Sequence, residues 1–96
     1  MRILAIERET PSATAEQFKP HLKAEAARVW ALYESGIIRE IYFDEAQHTA
    51  VILLECASLE AARQALESLP LVQLGLIEFE IIRLIPYTGF ARLFEP

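Results

Sequence analysis

Residues 66–90, LESLPLVQLGLIEFEIIRLIPYTGF, limit what this chain can fold into more than any other stretch. The end of an amphipathic helix runs through Pro70 and Gly75 into a strand over residues 76–85. A strand with one wet face alternates cleanly between apolar and polar side chains. This one keeps Ile77, Phe79 and Ile81 on one face and Leu76, Ile82 and Leu84 on the other, with Glu78 and Glu80 set among them. Both faces therefore call for cover, and a chain of 96 residues has too few helices to supply it twice. The second cover is expected to be another copy of the same chain.

Composition points the same way. Hydrophobic residues make up 53% of the chain and mean hydropathy is +0.23, above the roughly 45–50% apolar content of ordinary soluble domains. No apolar run approaches the roughly 18 residues that span a bilayer, and MRILAIERET reads as a first strand and not as a signal peptide. A subunit interface is the simplest sink for the surplus. The net charge of −5, with nine Lys and Arg thinly spread, excludes the clustered basic face that nucleic acid requires. The single cysteine, Cys56, excludes an internal disulfide and a cysteine-based metal site, so a reducing cytoplasm is expected. One domain over residues 1–96, with 90–96 as a tail, is the expected organisation.

Along the chain, a first strand over residues 2–9 is broken by Thr10-Pro11-Ser12. Ser12 or Thr14 can cap the next helix, with Glu16 or Gln17 placed for a capping box. Residues 14–35 read as a long helix interrupted at Pro20, which predicts a kink or a short first turn before the main helix. Leu22, Ala26, Val29 and Tyr33 form its apolar stripe, and Gly36 supplies the left-handed residue that ends it. Strands over residues 37–44 and 48–56 form an antiparallel hairpin. Ser58 caps a helix over residues 59–69, which Pro70 ends before the last strand. The order β-α-β-β-α-β defines an α+β fold, a ferredoxin-like sandwich with both helices on one face of a four-stranded antiparallel sheet. Two such sheets packed face to face make a dimeric α+β barrel. A monomer would expose more apolar surface than soluble proteins usually show.

The segments LKAEAARVWALYESG (22–36), IIREIYF (37–43) and LESLPLVQLGLIEFEI (66–81), in this order and spacing, resemble the muconolactone Δ-isomerase family of dimeric α+β barrels. The Leu-Pro-Leu step at 69–71 and the Gly-x-x-Arg step from Gly36 to Arg39 are the most recognisable points. The tail PYTGFARLF and the residues at 37–38 depart from the family pattern. The resemblance implies a homodimer or higher homo-oligomer and an intramolecular isomerisation of a small lactone carboxylate that needs no cofactor, a double bond being moved by proton transfer at carbon. Such chemistry needs a cation for the substrate carboxylate, a base for an acidic C–H and an acid to return the proton.

Several residues suit those roles. Glu40 and Tyr42 share a face of the strand over residues 37–44 with Ile38 and Asp44. There Glu40 is a candidate base, and Tyr42 a hydrogen-bond donor to the substrate. Arg39, with its planar fork, suits a carboxylate, but it lies on the opposite face from Glu40 unless a bulge intervenes. The plainer reading of Arg39 is an ion pair with Glu25 or Glu34. His21, Glu25 and Arg28 fall on one side of the first helix, where His21 and Glu25 can act as acid and base and Arg28 can hold an anion. The same spacing also describes a solvated helix face. Trp30, Tyr87 and Phe90 are candidate pocket walls, or packing residues. Glu78 and Glu80 have no histidine partners for a metal site and are expected to pair across the dimer with Arg2, Arg8 or Arg83. His48 is expected on the surface.

An isomerase of this kind predicts a closed apolar pocket in each protomer holding a His or Glu and an Arg. A non-catalytic ligand-binding or assembly module of the same fold, or a monooxygenase without cofactor, are the alternatives. No nucleic-acid or membrane partner is expected.

Overall fold

The computed structural model describes all 96 residues. Strand β1 (Arg2–Glu9) ends where Pro11 removes a backbone donor. A single turn, α1 (Ala15–Phe18), follows, with the Thr14 N–H donating to Gln17 Oε1 at 2.8 Å. Pro20 sits in a 3-10 turn (Lys19–His21), and the main helix α2 runs from Leu22 to Glu34. The expected short first turn before the main helix is therefore what forms. Gly36, at φ 83°, ends α2 in the left-handed region that a Cβ disfavours.

Strands β2 (Ile38–Phe43) and β3 (Ala50–Glu55) form the hairpin. Helix α3 (Leu59–Glu67) starts at Ser58, whose Oγ accepts from the Ala61 N–H at 3.0 Å. Pro70 does more than end that helix. It occupies the first position of a further turn, α4 (Pro70–Gln73), where a missing N–H costs nothing. Strand β4 (Ile77–Leu84) completes the sheet, and a 3-10 turn (Gly89–Phe94) lies in the tail.

The sheet order β2-β3-β1-β4, antiparallel throughout, is that of the ferredoxin-like sandwich. Cross-strand partners share a face, so the register sorts the side chains. Ile3, Ala5, Ile52, Leu54, Ile38 and Ile77 face the helices and are buried there with Leu32, Ala62, Ala65, Leu66 and Leu69. The other face carries Leu4, Ile6, Val51, Leu53, Ile82 and Leu84 with no layer above them. Arg8 pairs there with Glu80, and Arg2 lies 3.6 Å from Glu55. The Arg8–Glu80 pair forms within one chain, where pairing between copies was expected.

Two local expectations change. A bulge between Ile38 and Glu40 leaves Arg39 unopposed, since Ile38 pairs with Leu54 and Glu40 with the adjacent Leu53. Ile38 therefore faces the helices while Glu40 and Tyr42 face the open side, and the four residues from Ile38 to Asp44 do not share one face. In α2, Leu22 and Tyr33 are half exposed and Ala26 is exposed. The inward line runs instead through Glu25, Val29 and Leu32, because α2 leans on β2 and α4.

Candidate functional site

Every core-facing side chain of the first strand is apolar until Glu7. Ile3, Ala5 and Glu7 alternate onto the helix side of β1, and Glu7 is only half exposed. The register places it in a cross-strand row with Phe43 and Ala50 on one side and Phe79 on the other. The buried Ala50 N–H reaches Glu7 Oε1 at 3.4 Å. Burial raises the pKa of the Glu7 carboxyl. The Ala50 amide works against this rise, the negative charges of Glu9 and Glu25 add to it, and His48 opposes it. A carboxyl shifted in this way keeps its proton to higher pH than a free glutamate does, which suits a group that takes up and returns protons.

The surroundings come from three elements. Asp44 folds the hairpin, its Oδ1 accepting from the Ala46 N–H at 2.8 Å and its carbonyl from the His48 N–H at 2.7 Å. This drives His48 to φ 57°, and its ring stacks on Phe43 with centroids 4.2 Å apart. Thr49 is buried beside it. An open cleft of about 390 Å³ lies here, lined by Glu7, Arg8, Glu9, Gln47 and Thr49, within the range of small-ligand sites. It is polar and open where a closed apolar pocket was expected. Its one lining cation, Arg8, is already paired with Glu80.

From above, α2 contributes Glu25. This carboxyl is half-buried and its pKa is raised by burial, offset by the Leu71 N–H, which donates to Oε1 at 3.0 Å. Glu25 therefore ties α2 to the first turn of α4 while adding negative potential at Glu7.

The remaining sequence candidates are dispersed. His21, half-buried, lies where the 3-10 turn enters α2. The Arg28 Nε donates to Ser68 Oγ at 2.8 Å, which links α2 to the end of α3. Arg39 is exposed and its Nε donates to the Gly36 carbonyl at 2.7 Å, so it pairs with neither Glu25 nor Glu34. Trp30 is exposed and stacks on Tyr33 with centroids 5.8 Å apart. Glu40 and Tyr42 do come together. The Tyr42 hydroxyl donates to Glu40 Oε1 at 2.7 Å on the open face, and this hydrogen bond raises the pKa of the phenol. The structure thus keeps Glu40–Tyr42 as a pair and sets Glu25 near Glu7, but it brings neither arginine to these carboxyls. Glu7 escaped the sequence reading, although an acid in the core-facing register of ILAIE was a signal open to it.

Helices and sheet together define a ferredoxin-like α+β sandwich with an open cleft at one end of the sheet. Among solved structures, muconolactone isomerase matches with a TM-score of 0.72 and 16% identity over 93% of both chains. The 5-chloro-2-hydroxyhydroquinone dehydrochlorinase of Burkholderia phenoliruptrix AC1100, in complex with 2,5-dihydroxybenzoquinone, matches with a TM-score of 0.70 and 14% identity, over 93% of this chain and 98% of that one. No protein-family model and no curated protein sequence matches the chain. The resemblance to muconolactone isomerase seen in the sequence is thus a likeness of fold.

Proposed function

We propose that this chain is a homodimeric isomerase or lyase of a small oxygenated organic substrate, working by proton transfer at carbon with Glu7 as the proton carrier. One observation carries the reading: a carboxyl on the core-facing side of β1, its pKa raised by burial, opens into a substrate-sized cleft. Ionised Glu7 removes a proton from a C–H acidified by a neighbouring carbonyl. The resulting carboxylic acid returns it further along the conjugated system, so the double bond moves and no atom is lost. Where the substrate carries a leaving group, the same abstraction ends in its departure as an anion. The fold neighbours carry out an isomerisation and a dehydrochlorination by their names, and both suit a carboxylate base.

The acidic cleft wall alters the substrate expected from sequence. Glu7 and Glu9 line it, Glu25 lies above, and Arg28 and Arg39 point elsewhere, so a neutral enone fits better than a lactone carboxylate. The apolar open face supports dimerisation sheet to sheet into an α+β barrel. No helix is long and apolar enough to cross a membrane, and a single cysteine left as a free thiol suits a reducing compartment. A non-catalytic ligand-binding module is the second reading, favoured by the structural hydrogen bond that engages Glu25.

Deuterium incorporation from D2O into hydroxyquinones, enones and lactone carboxylates, followed by NMR, tests the proposal. Proton exchange at carbon that drops by about a hundredfold or more in Glu7→Gln, with the fold intact, is the expected result. Binding without exchange would leave the module, and exchange indifferent to Glu7→Gln would remove Glu7 from the chemistry.

A further inference from the structure

The chain ends in an arm that its own domain does not use. Beyond Leu84, Ile85, Tyr87, Phe90, Leu93 and Phe94 are between 66% and 85% exposed. The molecule measures 61 × 29 × 20 Å with a radius of gyration of 15.9 Å, against about 12.5 Å for a compact chain of this length. Four extended residues at about 3.3 Å each and a six-residue 3-10 turn at about 2.0 Å each give an arm of roughly 25 Å. That is close to the length of β4 itself, roughly 27 Å for eight residues.

The arm has built structure. The Tyr87 and Phe90 rings meet edge to face at 4.9 Å. A Cβ on Gly89 would collide with the Tyr87 hydroxyl, so a larger residue there would turn that ring away. Phe90 and Leu93 then fall on one side of the turn, with Phe94 beside them at its end. Solvated tails are polar, and this one has the composition of a buried segment.

We propose that residues 85–96 cross to a second copy of the chain and cover the Trp30–Tyr33 surface of that copy's α2. The inference deepens the dimer reading given above and rests on it. Leu84 pairs with Arg2, Arg2 with Glu55, and the Glu55 N–H donates to the Ile37 carbonyl. The arm therefore leaves the sheet at the end where α2 passes into β2, but at the opposite edge. A two-fold axis along the strands, between facing sheets, lays β4 of one copy over β2 of the other without exchanging ends. Each arm then emerges beside the C-terminus of the other copy's α2. There Trp30 is 61% exposed and Tyr33 47%, and nothing in their own chain covers them. Charge fits as well. Arg92 forms no ion pair in its own chain, and Glu34 with the α2 carbonyl terminus presents negative potential.

The single tryptophan makes the contact directly readable. The core lies wholly within residues 3–81, so a chain ending at Ile85 keeps all of it. Sedimentation of both chains is combined with acrylamide quenching of Trp30. The full chain is expected to be a dimer with Trp30 shielded, and removal of the arm should weaken the dimer about a hundredfold and raise quenching several-fold. Mixing Trp30→Phe full chain with the arm-less chain tests contact between copies, since only an arm from the Trp-free copy can then shield the remaining Trp30. A full-length dimer whose Trp30 is quenched alike with and without the arm overturns the proposal and leaves the dimer standing. Shielding in a full-length monomer shows the arm folded onto its own subunit and also overturns it. A monomer with open Trp30 removes both readings. Phe90→Asp with Leu93→Asp in the full chain gives the same readout should the shortened chain precipitate.

Discussion

Ile82→Asp tests the proposed assembly where a single chain should tolerate the change. Ile82 lies on edge strand β4, opposite Leu4 on the uncovered face, and is 37% exposed in one chain. Full burial of an isoleucine contributes about 1.5–3 kcal/mol, so the share still open to a partner is worth about 0.6–1.1 kcal/mol per copy. An aspartate there buries an unpaired charge, at about 3–5 kcal/mol. The two terms come to about 4–6 kcal/mol per copy, and two-fold symmetry applies them twice. If relaxation and water entry remove all but about 4 kcal/mol of the total, the dimer dissociation constant still rises about a thousandfold. Within one chain the loss is only about 1–2 kcal/mol, because an edge position lets the carboxylate reach water. Sedimentation velocity across the micromolar range, with far-ultraviolet circular dichroism, should show a folded monomer in place of the dimer. Leu74→Asp, half exposed at the end of α4, should leave the dimer unchanged. A variant that stays dimeric with unaltered affinity would refute the face-to-face arrangement, as would a wild-type chain that is monomeric at these concentrations.

Two further outcomes follow from local physics. Glu7 has a folded-state pKa above its unfolded value, so the native state binds the proton more tightly and stability falls as pH rises from the ordinary carboxylate range through the raised pKa. Glu7→Gln should therefore unfold at higher temperature than the parent at pH 7, with the gap closing as pH falls towards 4, measured by thermal scans across pH. Ser58→Ala removes the oxygen that accepts from Ala61 at the start of α3 and should cost about 1 kcal/mol in denaturant unfolding, with no change in quaternary state.

The fold was legible because its punctuation is local. Pro11, Gly36, Ser58 and Pro70 each act through their own backbone or first turn, and the structure places all four at element boundaries. The inward face of α2 was not legible, because it depends on a contact between residues distant in sequence. Glu25 looks solvated by type, yet the Leu71 amide 46 positions away draws it inward and rotates the apolar stripe outward. The bulge at Arg39 was equally hidden, since period-2 alternation carries no mark for one extra residue. Glu7 is the opposite case. Its position in the core-facing register of β1 is visible in the sequence, but its chemistry appears only when Ala50 and the hairpin leave the end of the row uncovered.

The proposed proton transfer and the proposed association would use two different directions of one sheet. Glu7 lies at the C-terminal end of β1 on the helix side, whereas Leu4 and Ile82 lie on the opposite face and the arm leaves from the opposite end. Neither Leu4 nor Ile82 lines the cleft around Glu7, and none of the cleft residues belongs to the arm. Substitutions that dissociate the dimer should thus leave the raised pKa of Glu7 in place, since desolvation by its own chain is the main cause of the rise. If a second copy instead adds substrate contacts to the cleft, an Ile82→Asp monomer will keep slow exchange at carbon but lose affinity. A monomer that loses exchange altogether would place catalytic groups of both copies in one site.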